Sequence, residues 1–481
     1  MSEIRHVHFI AIGGTGMGSL AGLLGARGLE ITGSDQALYP PMSTALEGWG
    51  IEVQEGFDAE SVRSRRPDLV IIGNAVRPDN PEAVEVMESE IPYRSFSDAL
   101  YELAMAQRHS VVVTGTHGKT TTTSLCAYLL HATGRDPSFL VGGISLDFGG
   151  SFREGAGAHF VVEGDEYDTA FFDKTAKFLH YHPKTLIITS VEFDHADIYR
   201  DLDHIKSVFK TLVAGMPSDG VIVAAANHAG VRDVIESAPC RVIRYGLSPG
   251  LDAKRSGEPL DFEATEIQVG PEGTKFLLET DSAGSRSVQV PLFGDFNVEN
   301  TLAALAALTA LGVELEESIP TLMAFRGVKR RQEIRGVEKG VTVIDDFAHH
   351  PTAVKGSIDA IGSRYPGQRR IAVFEPRTNT SRRRVFQKEY VKALESADRV
   401  LVLRVPEAPI YSSTGEVSEL FSTDELVSDL TRLGVEATAH SDVEEIVTTL
   451  ADELAEGDIA LIMSNGAFGN IWQKLLEALA S

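Results

Sequence analysis

Short apolar runs recur along the chain, and nearly all of them end in glycine, small or acidic residues. They cover residues 7–12, 68–72, 110–113, 159–162, 185–189, 341–344, 370–374, 400–403 and 459–463, with shorter runs at 30–32 and 436–438. Continuous rather than alternating apolar runs are the pattern of strands buried on both faces of a parallel sheet. Longer stretches with helical character lie between them, such as 19–26, 125–130 and 301–311. Strand and helix alternating in this way predict parallel, doubly wound sheets. The alternation breaks between residues 220 and 291, where segments 263–269 and 274–278 flank Gly270-Pro271-Glu272-Gly273 and predict a β-hairpin. The chain therefore reads as α/β with three domains. These are a Rossmann-like N-terminal domain over 1–107, a central phosphate-loop α/β domain with a small antiparallel addition over 108–327, and a Rossmann-like C-terminal α/β domain over 328–481.

Composition narrows the class. With 481 residues, 43% hydrophobic and 23% charged, the chain can bury several cores. A net charge of −25 with no compensating basic face argues against a nucleic-acid partner. Two cysteines, Cys126 and Cys240, cannot build a disulfide framework and suit a reducing compartment. The first residues lack a charged-then-apolar signal pattern, and no run approaches membrane-spanning length. The expectation is a cytoplasmic protein without membrane insertion.

The run at 110–113 leads into Thr114-Gly115-Thr116-His117-Gly118-Lys119-Thr120-Thr121-Thr122-Thr123 and then into a helix. A strand, a glycine turn and a helix start aim free backbone N–H groups and the positive end of the helix dipole at one point, which suits phosphate. Lys119 adds a charge for a β- or γ-phosphate, and the Thr120 hydroxyl is the expected ligand for the magnesium that accompanies ATP. The loop is shorter than the standard motif, because Val113 stands where its first glycine belongs.

A second glycine turn, Gly13-Gly14-Thr15-Gly16-Met17-Gly18, follows the first run, and Asp35 closes the next strand. Such a turn takes a diphosphate and the acid takes a ribose hydroxyl, so the site suits a dinucleotide or a UDP-sugar. Asn74, after the run at 68–72, is a further candidate contact. In the central segment, Glu163, Asp165, Glu166 and Asp168 crowd one strand tip and predict a magnesium site. His195, in Glu192-Phe193-Asp194-His195-Ala196-Asp197, follows another strand and could bind metal or carry a proton. Asn297 stands at a helix start, and Arg330 lies in a basic, glycine-containing junction over 325–331. Two strands of the last domain end in Asp345-Asp346-Phe347-Ala348-His349-His350-Pro351 and in Glu375-Pro376-Arg377. Arg382, Arg383 and Arg384 follow, the last two reading as solvated helix-face residues.

These motifs resemble those of the Mur ligase family, over the whole chain and in the same order. The pieces that carry the resemblance are Gly115–Thr122, Glu163-Gly164-Asp165-Glu166, Asp194-His195, Phe296-Asn297, Arg330-Arg331 and Asp345–Pro351. The family joins an amino acid or peptide to a UDP-muramic acid precursor at the expense of ATP. The resemblance implies that Gly115, Thr116, Gly118, Lys119, Thr120, Thr121, Asn297 and Arg330 bind ATP. It implies that Thr120, Glu163 and His195 hold magnesium, two ions in all, and that Lys119, His117, His195 and Asp346 serve catalysis. Gly14, Thr15, Gly16, Met17, Asp35 and Asn74 would meet the UDP sugar, and Arg377, His349 and His350 the incoming peptide. Residues 165–174, 192–197 and 463–469 are similar to the branch that attaches the recycled tripeptide L-Ala-γ-D-Glu-meso-diaminopimelate to UDP-N-acetylmuramate. The alternative is the branch that adds L-alanine. Lys210 lies about where several relatives carry a carbamylated lysine, and it reads here as a surface helix residue.

Overall fold

The computed structural model describes residues 4–248, 259–280, 284–405, 410–412, 415–417 and 419–481. Each domain is built on its own sheet. In the first, β1 (His6–Ile10), β2 (Glu30–Asp35), β3 (Glu52–Glu55), β4 (Leu69–Ile72) and β5 (Tyr93–Ser95) are all parallel, in the order β3-β2-β1-β4-β5. The strand order reverses at β1, so the glycine turn that follows it opens onto the crevice where such sheets bind ligands. The helix expected from residue 19 starts earlier and runs Thr15–Ala26. Gly18 lies inside it as a packing residue, since a Cβ there would sit 2.2 Å from the Met42 sulfur.

Among the described residues the middle domain has ten strands. They are β6 (His109–Thr114), β7 (Ser138–Ser145), β8 (Gly150–Arg153), β9 (His159–Gly164), β10 (Thr185–Ile188), β11 (Val221–Ala225), β12 (Arg241–Leu247), β13 (Phe262–Gly270), β14 (Gly273–Thr280) and β15 (Arg286–Val290). Their order is β15-β14-β13-β12-β11-β10-β6-β9-β7-β8. The expected hairpin is β13–β14, and β15 extends it antiparallel. The decisive feature is that β6 lies between β10 and β9. The phosphate loop after β6 is thus flanked by the acid-rich tip of β9 and by the loop after β10.

The third domain contains β16 (Glu333–Glu338), β17 (Val341–Asp346), β18 (Arg370–Phe374), β19 (Arg399–Leu403), a separate pair β20 (Ile410–Ser412) and β21 (Gly415–Val417), then β22 (Glu436–His440) and β23 (Ile459–Met463). The main sheet is β16-β17-β23-β18-β19-β22, parallel except for the edge strand β16.

One hydrophobic core runs without a break from Val7 and Leu20 in the first domain to Val112, Leu302 and Phe325 in the middle domain. Two further contacts fasten these domains. Phe152 packs against Gly22 and edge-on to Trp49, with ring centroids 5.0 Å apart. Phe171 and Phe172, from the loop after β9, pack against the first domain's cluster around Ile72 and Val76. The third domain has its own cores on the two faces of its sheet. Among the described residues no helix is long and apolar enough to cross a membrane.

Candidate active site

The phosphate loop depends on two glycines. Gly115 and Gly118 have φ of +131° and +79°, values that L side chains rarely adopt, and neither has room for a Cβ. A Cβ on Gly115 would meet the Thr189 hydroxyl at 2.2 Å, and one on Gly118 would meet Asn300 Oδ1 at 2.4 Å. The helix Lys119–Ala132 starts directly after Gly118 with no side-chain cap, so its first N–H groups face the loop.

Lys119 curls back over this loop. Its Nζ donates to Gly115 O at 2.6 Å and to the two Glu166 oxygens at 2.9 and 3.1 Å. Burial alone would lower the lysine pKa, but Glu166 and Asp165 outweigh it and raise it. The Thr120 hydroxyl donates to Glu163 Oε1 at 3.0 Å, and Gly142 N donates to Glu163 Oε2 at 2.7 Å. Burial pushes the Glu163 carboxyl up, against the lowering effect of Lys119.

His195 adjoins Glu166, not Glu163: its Nε2 lies 2.9 Å from Glu166 Oε1. Burial lowers its pKa, but Asp194 and Glu166 more than reverse this and bring it to about 9. Tyr167 covers the imidazole, with ring centroids 4.1 Å apart. The expected magnesium residues therefore form two groups, Thr120 with Glu163 and His195 with Glu166, and both border the phosphate loop. Glu166 is the carboxylate that joins Lys119 to His195. The acidic strand tip pointed to it, but the direction of its side chain is a property of the folded loop.

The third domain closes over this face. Arg331 NH2 donates to the Thr120 hydroxyl at 3.1 Å. Arg330, the expected ATP contact, turns away: its Nε bonds Asp345 at 3.2 Å and its NH2 bonds Ser464 O at 2.7 Å. Arg330 has a φ of +60°, and both guanidinium groups lie over the Phe347 ring, 5.4 and 4.9 Å from its centroid, while their hydrogen bonds go to different domains. Asp346 accepts from Gln332 N at 2.9 Å and Ala348 N at 2.7 Å, and burial raises its pKa against the pull of Arg331. Asn297 also stands back from the loop. Its amide donates to Phe293 O at 2.8 Å and its oxygen accepts from Asn300 at 3.0 Å. Asn300, one helical turn on, accepts from Thr122 and lies against Gly118.

His350, expected near the peptide, is buried beside the phosphate loop. Its Nε2 lies 3.1 Å from Phe193 O, and its ring centroid lies 4.6 Å from that of His117. His117 Nε2 is 3.2 Å from Glu192 Oε2, which also accepts from the Thr352 hydroxyl at 2.7 Å. The donor atoms of His117, Glu192 and His350 all lie within 4.8 Å of one another, a set that could share a cation. His349 is half-buried, its Nδ1 3.0 Å from Phe347 O. Arg377 is exposed and lies over Gly466, in the loop after β23. Arg384 pairs with Glu425, as a surface residue would. Arg383 is not solvated but half-buried, and it donates to Ala196 O in the middle domain.

In the first domain, Gly14, Thr15 and Gly16 are exposed at the carboxyl end of β1, while the Met17 side chain is buried in the core. Asp35 Oδ2 accepts from Gly13 N at 2.7 Å and so closes the glycine turn. Asn74 Nδ2 reaches Asp168 Oδ1 of the middle domain at 3.5 Å. Lys210 is exposed on the helix Leu202–Ala214.

The residues fit a magnesium nucleotide. Glu163 is half-buried, and its direct partners are a hydroxyl and an N–H rather than a Lys or Arg. A half-buried carboxylate beside a threonine hydroxyl, at an uncapped helix start, is a donor set for a hard cation and phosphate. Lys119 and Arg331 supply the remaining positive charge.

Comparison with known proteins points the same way. Residues 6–108 match the Mur ligase family catalytic domain, residues 113–308 the Mur ligase middle domain and residues 330–466 the Mur ligase glutamate ligase domain. The chain is 38% identical over 477 residues to the UDP-N-acetylmuramate–L-alanyl-gamma-D-glutamyl-meso-2,6-diaminoheptandioate ligase of Escherichia coli (strain K12), covering 98% of each. It is 32% identical over 467 residues to the UDP-N-acetylmuramate–L-alanine ligase of Clostridium tetani (strain Massachusetts / E88), covering 97% of this chain and 96% of that one. The crystal structure of a murein peptide ligase from Psychrobacter arcticus 273-4 superposes with a TM-score of 0.71 at 33% identity, covering 99% of both chains.

Proposed function

The chain belongs to the Mur ligase family of ATP-dependent amide-bond ligases, and from that premise we propose that it joins L-Ala-γ-D-Glu-meso-diaminopimelate to UDP-N-acetylmuramate. The observation that carries this choice is the 38% identity, along nearly the whole chain, to a ligase named for that peptide.

A carboxylate does not accept an amine directly, because its leaving group would be oxide. The lactyl carboxylate of the muramic acid takes the γ-phosphate of ATP and becomes an acyl phosphate. The peptide amine then attacks that carbonyl, and phosphate leaves. The transferring group is crowded with negative charge, so fixed cations around it supply most of the rate. Lys119 reaches it from the phosphate loop and Arg331 from the third domain. Magnesium, when bound, would neutralise charge on the phosphates and make the phosphoryl group a better electrophile. Thr120 with Glu163, and His195 with Glu166, are the groups that would hold it. His117 and His350 lie where the first two substrates meet. The exposed glycine turn of the first domain takes the UDP sugar, and Arg377 takes a carboxylate of the peptide. Docking of the third domain brings Arg331 to Thr120 and so completes the site.

The test offers L-alanine and the tripeptide separately, with ATP and UDP-N-acetylmuramate, and identifies the product by mass. A product carrying the tripeptide supports the proposal. A product carrying only L-alanine would assign the chain to the alanine-adding branch instead.

A further inference from the structure

His195 lies in the middle domain, yet the third domain holds the loop around it. Its φ is +52°, a left-handed backbone conformation that a non-glycine residue keeps only when its neighbours enforce it. The neighbours on both sides are gripped. Before it, His350 reaches Phe193 O at 3.1 Å and the Thr352 hydroxyl donates to Glu192 at 2.7 Å. After it, Ala196 N donates to the Thr380 hydroxyl at 3.0 Å, Arg383 donates to Ala196 O, and Asn379 donates to Asp197 Oδ2 at 3.2 Å. Both backbone polar groups of Ala196 thus bond to one segment of the third domain. Thr380 and Ala196 are buried, so undocking would leave the strained turn with only its local bonds, from His195 N to Asp194 Oδ1 and from Ile198 N and Tyr199 N to His195 O.

We propose that Thr380 and Arg383 are positioning residues that set His195 against Glu166 and Lys119 by capturing the backbone of Ala196. The segment that does this, Thr378–Arg383, continues directly from Arg377 at the end of β18. A ligand held at Arg377 is therefore coupled through three residues of chain to the histidine at the phosphate loop. Acceptor occupancy and assembly of the His195–Glu166 pair become one event. The inference rests on the ATP-dependent ligase reading but not on which acceptor is used.

The test uses the full-length protein with Thr380→Val and Thr380→Ser. Valine keeps the shape and removes the acceptor for Ala196 N–H, and serine restores it. Three readouts are taken: hydrogen exchange of the peptide containing Ala196, Mn²⁺ affinity in the presence of ADP, and steady-state kcat and KM. In Thr380→Val the Ala196 amide should exchange faster, Mn²⁺ binding should weaken, and kcat should fall about 10²-fold, the effect of a small misplacement at a reacting centre. The KM for ATP should stay near the parent value, because the phosphate loop itself is untouched. Thr380→Ser should recover all three, and Arg383→Ala combined with Thr380→Val should add little, since both act through Ala196. Parent exchange and parent kcat in Thr380→Val would overturn the proposal. So would a loss that serine does not rescue and that tracks a lowered Tm, which would mark a purely structural role. A parent enzyme without ligase turnover would sink the ligase reading, while the exchange and Mn²⁺ measurements would still decide the positioning role.

Discussion

Glu166→Gln is the substitution that most directly questions the site. One buried carboxylate accepts from Lys119 Nζ at 2.9 and 3.1 Å and faces His195 Nε2 at 2.9 Å. An amide has the same shape but a single oxygen. It can serve one of the two cations, and its NH₂ then points a donor at the other. Losing a charge-assisted hydrogen bond inside a protein costs about 1.5–3 kcal/mol, and leaving a buried charge unpaired costs about 3–5 kcal/mol. Lys119 keeps Gly115 O at 2.6 Å, so the lower range applies to stability and the variant should fold. The rate is more sensitive. Removing a preorganised partner at the transferring group costs about 2.7–4 kcal/mol, roughly 10²–10³ in kcat. The assay is phosphate release dependent on UDP-N-acetylmuramate and peptide, with UDP-sugar affinity and Tm as controls. A folded Glu166→Gln enzyme with kcat within about threefold of the parent, a difference under 1 kcal/mol, would refute the idea that this carboxylate organises Lys119 and His195.

Three further outcomes follow from the geometry. Gly118→Ala should destabilise the protein by about 1–2 kcal/mol from left-handed strain alone and by more from the clash with Asn300; Gly134→Ala, at the same φ of +79° but with nothing within 4 Å, should show only the strain, and denaturant midpoints would compare them. His180 bridges the domains to Asp98 at 2.8 Å, and that hydrogen bond raises its pKa above the ordinary 6.5; its stabilising contribution is complete below the ordinary value and is lost as pH rises through the raised, folded one, so His180→Ala should flatten the decline in Tm as pH rises above 6.5. Arg377→Ala should raise the peptide KM about tenfold, the low end for a charged contact because the side chain is exposed, and should leave the KM for ATP unchanged.

The parts legible in the sequence were those set by burial and by local backbone chemistry. Strands such as β6 and β9 are covered on both faces, so their apolar runs marked them, and Gly115 and Gly118 marked the loop because only glycine fits there. β16 carried no such run: it is an edge strand with Ile334 and Val337 exposed, and no element was expected there. Side-chain direction was not legible either. Arg330 and Arg331 are neighbours in sequence but face different domains, and Asn297 and Asn300 differ by one helical turn in what they touch. The direction of the Met17 side chain was not legible either: its helix begins before it and turns that side chain into the core, leaving its backbone N–H in the uncapped first turn. The bond from Ala196 to Thr380 spans 184 residues and exists only because two domains meet.

The unbroken core between the first two domains also bears on how the chain comes apart. Apolar contacts continue from β1 through β6 to Phe325, whereas the third domain closes its own cores. The first two domains should therefore melt as a single cooperative unit and the third as another, giving two calorimetric transitions. The two tryptophans fall one in each unit. Trp49 packs on Phe152 in the first, and Trp472 lies under the Arg335 guanidinium, 3.5 Å from its ring centroid, in the second. Replacing either one with phenylalanine leaves a fluorophore that follows the unfolding of a single unit.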